Sequence, residues 1–213
     1  MTPVALLLEI EEIVFDTRLI RATALTTALR DEGVIVALDD VLEAHAGCTA
    51  VMALDALQTP SLDALGRELV LRRASDAVRR AFDEGLPSFD TPARDTIERL
   101  STELLIGVVS RAGSDDAARM LQHAALDMCV RTVQSLGDLA SADHHSVWSR
   151  AASKLLGAQA FAVVPAQLAA GPRAAGIRTI TVGTPNGGDS GATLVSMARP
   201  DASFVASLSA LSG

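Results

Sequence analysis

From Pro92 to Val182 the sequence switches repeatedly between a short apolar run and a segment with helical spacing, and few folds accommodate that alternation. Leu104–Val109 and Ala160–Val164 are almost wholly apolar, with a weaker run at Cys129–Val133 and a further one at Arg178–Val182. Continuous runs of this kind read as strands covered on both faces, because a half-exposed strand would alternate apolar with polar residues. Helices are predicted between them, at Ala93–Leu100, Ser114–Gln122, Trp148–Leu156 and Ala166–Ala175. Strands joined through helices must cross over and return in the same direction, which predicts a parallel sheet with helices on its faces. Val4–Ile10 is one more run of the same character, so the chain is expected to be an α/β protein.

The segment between the first strand and this alternating region is different. Leu19, Ala22, Leu25, Ala28 and Leu29 recur at helical spacing, and Gly33 offers a stop. Asp39-Asp40 is expected to cap a second helix running to about Leu57. A third helix is predicted from Ser61 to Phe82, closed by Gly85 and Pro87. Residues 18–88 thus carry helix signals and no strand signal. The expected organisation is a parallel-sheet core made of residues 1–16 and 89–213, with residues 17–88 as an all-helical insert. Beyond Val182 the sequence predicts a turn-rich stretch at Thr184–Gly188, a short strand at Ala192–Val195 and a last helix at Ala202–Leu211.

Composition narrows the function classes. At 213 residues with 49% hydrophobic residues, the chain can bury a full core. A net charge of −8 argues against a nucleic-acid groove or an anionic membrane surface as its partner. No run of 18 apolar residues exists, so no membrane insertion is expected. Glu9, Glu11 and Glu12 interrupt the N-terminal apolar run and no basic segment precedes it, which is unlike a signal peptide. Cys48 and Cys129 are far apart and form no C-x-x-C pair, as expected of reduced thiols in a cytoplasmic protein. Only 21% of residues are charged, a composition that suits a protein partner or a homo-oligomer as well as an alanine-rich core.

Three stretches carry a resemblance to a known family. The first is the apolar strand followed by Glu9-Ile10-Glu11-Glu12-Ile13-Val14-Phe15-Asp16-Thr17. The second is Ile106-Gly107-Val108-Val109-Ser110-Arg111, with Thr91-Pro92-Ala93-Arg94 ahead of it. The third is Arg173-Ala174-Ala175-Gly176-Ile177-Arg178-Thr179-Ile180. Together with a helical insert directly after the first strand, these resemble the haloacid dehalogenase superfamily, in its phosphoglycolate-phosphatase and β-phosphoglucomutase-like branch. The resemblance spans nearly the whole chain. It implies a Rossmann-like core with a helical cap. It also implies a phosphatase site in which one Asp attacks phosphorus and a second, two residues on, acts as general acid and base. A Ser or Thr and a Lys would hold the transferring phosphoryl group, and carboxylates would hold Mg²⁺.

The residues at those positions depart from the pattern. Glu9 stands where the nucleophilic Asp belongs, one methylene longer, and a displacement of about 1 Å at a reacting atom can cost ~100-fold in rate. Glu11 stands at the acid/base position and Glu12 replaces a glycine, so three carboxylates are expected beside the phosphate pocket. Counting back from Leu156-Gly157 places Asp143 or His144 where the lysine should be, while Lys154, the only lysine, falls on a helix as a solvated side chain. Counting back from Gly176 places Val163-Val164-Pro165 where the metal-binding carboxylates should be. Ser110 alone keeps its expected residue type, and a serine there also suits a plain turn or helix cap.

Other candidates have simpler explanations beside the functional one. His144-His145 with Asp143 and Asp138 could be a metal cluster, but adjacent loop histidines point apart. His45 and Cys48 are expected on one cap helix, as a possible ligand or nucleophile pair or as a helix-face histidine beside a buried thiol. Arg72-Arg73 and Arg79-Arg80 repeat along one helix side, as an acidic-partner face or a solvated one. Gly187-Gly188 lacks the context of a phosphate loop, and Trp148 is expected in the core.

The sequence therefore predicts a haloacid-dehalogenase-type fold with a degenerate phosphatase site, retained as a non-catalytic binding, regulatory or scaffold subunit with no cofactor. The rival expectation is a divergent Mg²⁺-dependent phosphatase of a small phosphorylated metabolite. It would use Glu9 and Glu11, with a metal held by Glu9 and by Asp115, Asp116 or Asp189.

Overall fold

A computed structural model describes residues 3–11, 13–46, 48–136, 144–155, 157–165 and 168–182. Asp138, Asp143, Asp189 and everything expected beyond Val182 lie outside the described residues.

The core unit comprises residues 1–15 and 89–213 by its internal contacts. Among the described residues its strands are β1 (Val4–Glu9), β2 (Leu105–Ser110), β3 (Val130–Ser135), β4 (Gln159–Pro165) and β5 (Arg178–Val182), in the spatial order β3-β2-β1-β4-β5. Every pairing is parallel. The apolar runs dictate this outcome. Leu6, Leu7 and Leu8 are fully buried in the central strand, with Phe161, Ala162, Val163 and Val164 fully buried beside them. The chain builds outward from β1 to β2 and β3 on one side, then crosses to β4 and β5 on the other. Such a switch in direction leaves a crevice at the carboxyl ends of the central strands, where parallel sheets place their ligands. Glu9 is the last residue of β1, and Ser110 is the last residue of β2.

Gly107 shows how tightly the middle of the sheet is packed. A Cβ there would lie 2.6 Å from Leu7 Cδ2 and 3.0 Å from Thr132 Cγ2. Both atoms are side-chain ends, so the neighbours must rotate to accept a methyl group. Gly107→Ala is expected to destabilise the fold by about 1–3 kcal/mol through overpacking. Urea unfolding measures this, and unchanged stability would show that Leu7 and Thr132 relax freely.

The helices around the core are α5 (Thr91–Leu100), α6 (Ser114–His123), α7 (His144–Ser153) and α8 (Ala170–Ala174). The helix expected from Trp148 to Leu156 starts earlier, at His144, and the weak strand expected at Cys129–Val133 is Val130–Ser135. Asp90 caps α5 by accepting from the Ala93 amide at 2.7 Å, which brings Pro92 into the first turn, where its missing N–H costs nothing. Gly176 ends α8 at a φ of +70°, with its own amide donating to the Arg173 carbonyl and the Ile177 amide to that of Pro172. This left-handed cap is why the Ala-Ala-Gly sequence turns the chain into β5.

The second unit, residues 16–88, is wholly helical: α1 (Arg18–Asp31), α2 (Leu38–His45), α3 (Ala50–Ala56) and α4 (Ala64–Glu84). Leu25, Leu29, Val41, Leu54 and Val70 are fully buried at its centre. Gly33, at φ +76°, closes α1 with the same pair of bonds, from Gly33 N to Arg30 O and Val34 N to Leu29 O. The single helix expected from Asp39 to Leu57 is two. The chain turns extended at Ala46, and Thr49 opens α3 by accepting from the Met52 amide. Asp39 and Asp40 lie inside the first turn of α2 and do not cap it; there they face the positive end of its dipole. Cys48 therefore falls in the link between α2 and α3 and does not share a helix with His45, which is buried in α2. On α4, Arg73 pairs with Glu32, the residue just after α1, and Arg72, Arg79 and Arg80 are exposed. Among the described residues no helix is long and apolar enough to cross a membrane.

Candidate functional site

Parallel pairing sets the site. Glu9 is paired in register with Val109, and Ser110 with Ser135, so the ends of β1, β2 and β3 present their last side chains side by side. Beyond Ser110 the chain bends through Arg111, Ala112 and Gly113 into α6. Two bonds from β3 and its exit hold this bend: the Leu136 amide donates to the Ser110 carbonyl at 2.6 Å, and Ser135 Oγ donates to the Ala112 carbonyl at 2.5 Å.

Two carboxylates of the first segment meet that bend. Arg111 Nε donates to Glu9 Oε1 at 2.8 Å, an ion pair whose side chains are 1% and 0% exposed. Glu11 Oε1 accepts three bonds at once, from Ser110 Oγ at 2.9 Å and from the amides of Arg111 and Ala112, each at 2.7 Å. Ser110 Oγ in turn accepts from the Ala112 amide at 3.0 Å, which directs its own proton toward Glu11. Glu9, Glu11 and Ser110 are all fully buried. A buried carboxylate is costly unless its charge is met, and both are met within the chain: Glu9 by a guanidinium, Glu11 by converging N–H and O–H dipoles.

Glu9, Glu11 and Ser110 come together. Asp115 is exposed in the first turn of α6, and Asp116, buried in the same turn, pairs with Arg119 at 3.4 Å. Among the described residues no group of three or more His, Cys, Asp or Glu side chains could hold a metal. Val163, Val164 and Pro165 end β4 next to β1 as buried apolar residues, with Val163 paired to Leu8. Lys154 is exposed just past the end of α7, and His145 is exposed at its start. Trp148 on α7 is fully buried, as its sequence context predicts.

Sequence reasoning missed Arg111. It occupies the position after the strand-ending Ser, where the resembled family usually has Asn, and its guanidinium compensates the Glu9 carboxylate. Of the three carboxylates expected here, Glu12 lies outside the described residues, and Glu9 and Glu11 both have partners within the chain. At least one negative charge is balanced by Arg111, and the Glu11 carboxylate is held by the bend itself.

No protein-family model matches the sequence, and no curated protein matches it. Solved structures do. A haloacid dehalogenase-like family hydrolase from Streptococcus pneumoniae is 14% identical, with 92% of this chain and 90% of that chain covered and a TM-score of 0.68. β-Phosphoglucomutase from Clostridium difficile is 14% identical over 85% of each chain, with a TM-score of 0.64. Protein Tyrosine Kinase A from Mycobacterium tuberculosis is 19% identical, with 89% and 88% covered and a TM-score of 0.70. Identities this low speak for the fold alone. With its parallel sheet and the helical segment that follows the first strand, the chain has the fold of these haloacid-dehalogenase-like structures.

Proposed function

We infer that this chain is a non-catalytic protein on a phosphatase fold, kept as a binding, regulatory or scaffold subunit. The observation that carries this reading is the Glu9–Arg111 ion pair. A carboxylate must offer an oxygen lone pair to attack phosphorus. Here Oε1 of the residue at the nucleophile position is bound to a buried guanidinium, which lowers its nucleophilicity. Glu11, at the acid/base position, has its Oε1 committed to three donors, so proton relay from that oxygen would first break them. The residues do not suit Mg²⁺ either. Arg111 already supplies positive charge at Glu9, and the end of β4 contributes only valine and proline. No cofactor is assigned. The large apolar share supports a protein partner or a second copy of the chain, and the charge of −8 disfavours nucleic acid.

The test is phosphate release from a panel of phosphorylated metabolites with Mg²⁺, for wild type and Glu9→Ala. The expected outcome is no release above the blank from either protein. Turnover that disappears in Glu9→Ala would overturn this reading and establish the divergent Mg²⁺-dependent phosphatase, with Glu9 as its working acid.

A further inference from the structure

The helical unit carries one stretch of chain that is anchored and yet has an unpartnered edge. Between Gly33, which closes α1, and Ala37, which precedes α2, residues 34–36 belong to no helix or strand. Burial alternates along this stretch. Gly33, Ile35 and Ala37 are exposed, whereas Val34 and Val36 are half-buried and pack against the core of the unit. A period of two marks extended backbone, and the two valines hold it in place. Ile35 is left 82% exposed, a β-branched side chain in solvent. The Val34 amide donates to the Leu29 carbonyl at 2.9 Å. Successive residues of an extended chain present their N–H and C=O groups to opposite edges, so those of Ile35 face the other way. Among the described residues no hydrogen bond reaches the amide or the carbonyl of Ile35.

We propose that residues 34–36 are a docking edge for an extended basic segment of a protein partner, which pairs with Ile35 as an added strand. In such pairing the main-chain bonds supply affinity and the alternate side chains supply specificity. Charge selects the occupant. From Asp31 to Ala46 the chain has five acids and no Lys or Arg. Glu32 pairs with Arg73, while Asp31, Asp39, Asp40 and Glu43 are exposed, with Arg30 exposed just ahead of them. A second copy of the chain pairing antiparallel about Ile35 would bring Asp39 of one copy toward Asp31 of the other, and like charges facing across strands are destabilising. A strand bearing Lys or Arg turns the same acids into an attraction. This docking edge rests on the reading of the chain as a binding subunit, and it gives the partner its chemistry.

The probe is a fluorescein-labelled synthetic peptide of alternating Lys and Val, about ten residues long to span a strand, titrated with the full-length protein and read by anisotropy. Its counterpart of alternating Glu and Val is the control. Wild type is expected to bind the basic peptide and not the acidic one, and to bind more weakly as salt is raised. Ile35→Pro removes the amide donor while its fixed φ suits extended backbone, and is expected to weaken binding at least about tenfold, or about 1.4 kcal/mol. Ile35→Thr keeps the amide and the β-branch and is expected to bind within about threefold of wild type. Asp39→Asn with Asp40→Asn is expected to weaken binding and flatten its salt dependence. All these positions are exposed, and thermal unfolding checks that each variant is folded.

No binding by wild type at about 1 mM protein, the weak end of specific association, would overturn the docking edge. So would equal binding of the two peptides, or binding that a folded Ile35→Pro leaves unchanged. Sedimentation of wild type as a dimer that Ile35→Pro dissociates would overturn it too, in favour of a second copy of the chain as occupant. None of these readouts involves turnover. Phosphate release by wild type would sink the non-catalytic reading, whereas failure to take the basic peptide sinks only the docking edge.

Discussion

Replacing Arg111 by Met is expected to destabilise the protein by about 3–5 kcal/mol, the range found when one partner of a buried ion pair is removed. The large size follows from what is left behind. Arg111 and Glu9 are almost completely buried, at 1% and 0% side-chain exposure, so Glu9 would keep its charge in an apolar setting without the guanidinium 2.8 Å away. It would have to take up a proton, recruit water or move the end of β1. Against a typical total stability of about 5–15 kcal/mol, such a loss is a large fraction. The pair itself need not be strongly stabilising, because desolvating both ions offsets most of their attraction. The double variant Glu9→Met with Arg111→Met is therefore expected to recover most of the loss, leaving a strongly non-additive cycle. Urea unfolding of the four proteins measures this. A loss below about 1 kcal/mol for Arg111→Met would place the pair with exposed ion pairs in energetic terms, and would remove the main support for an idle Glu9.

Trp148→Ala is expected to have an effect of similar size for a different reason. Trp148 is fully buried on α7, flanked on the same helix by Val147 and Ala151, also fully buried, and α7 packs on β2 and β3. Truncating a buried Trp costs about 3–5 kcal/mol, the lost transfer energy plus a cavity the surroundings fill only in part. In a chain of this length, each 1 kcal/mol lowers Tm by about 2–4 °C, so a fall of roughly 6–20 °C is expected. Trp148→Phe leaves a smaller void and is expected to lose less. Calorimetry separates the two variants. Equal stability of wild type and Trp148→Ala would show that α7 is not fixed to the sheet by this residue. Trp148 is also the only tryptophan, so wild-type fluorescence follows its exposure during unfolding without interference.

These two residues differ in how far the sequence announced them. Trp148 sits among apolar residues at helical spacing, and a large side chain in that setting has nowhere to go but inward. Arg111 gave no local sign. An arginine after a strand-ending serine reads as a solvated loop residue, since arginine is seldom buried without a partner. Its partner lies 102 residues earlier in the chain. Cys48 and His45 failed in the opposite direction: their spacing of three residues implied a shared helix, but the extended backbone at Ala46 and the cap at Thr49 break it.

The sequence by itself determined the sheet, because continuous apolar runs can only be strands covered on both faces, and helices between them require parallel order. It determined the helical segment after β1 for a similar reason. It also determined that the chain has a single lysine, Lys154, and that Val163-Val164-Pro165 brings no carboxylate, since residue identity needs no geometry. What only the tertiary structure decided is the state of the acids that remain. Glu9 and Glu11 read as surplus negative charge along the chain, and they become partnered groups only when β1 and β2 lie side by side. Pairing Glu9 with Val109 is what brings Arg111, two residues beyond, onto Glu9, and the Ser110–Ala112 bend onto Glu11. Charge compensation at the end of a sheet is a property of strand neighbours, and neighbours in a parallel sheet are always distant in sequence.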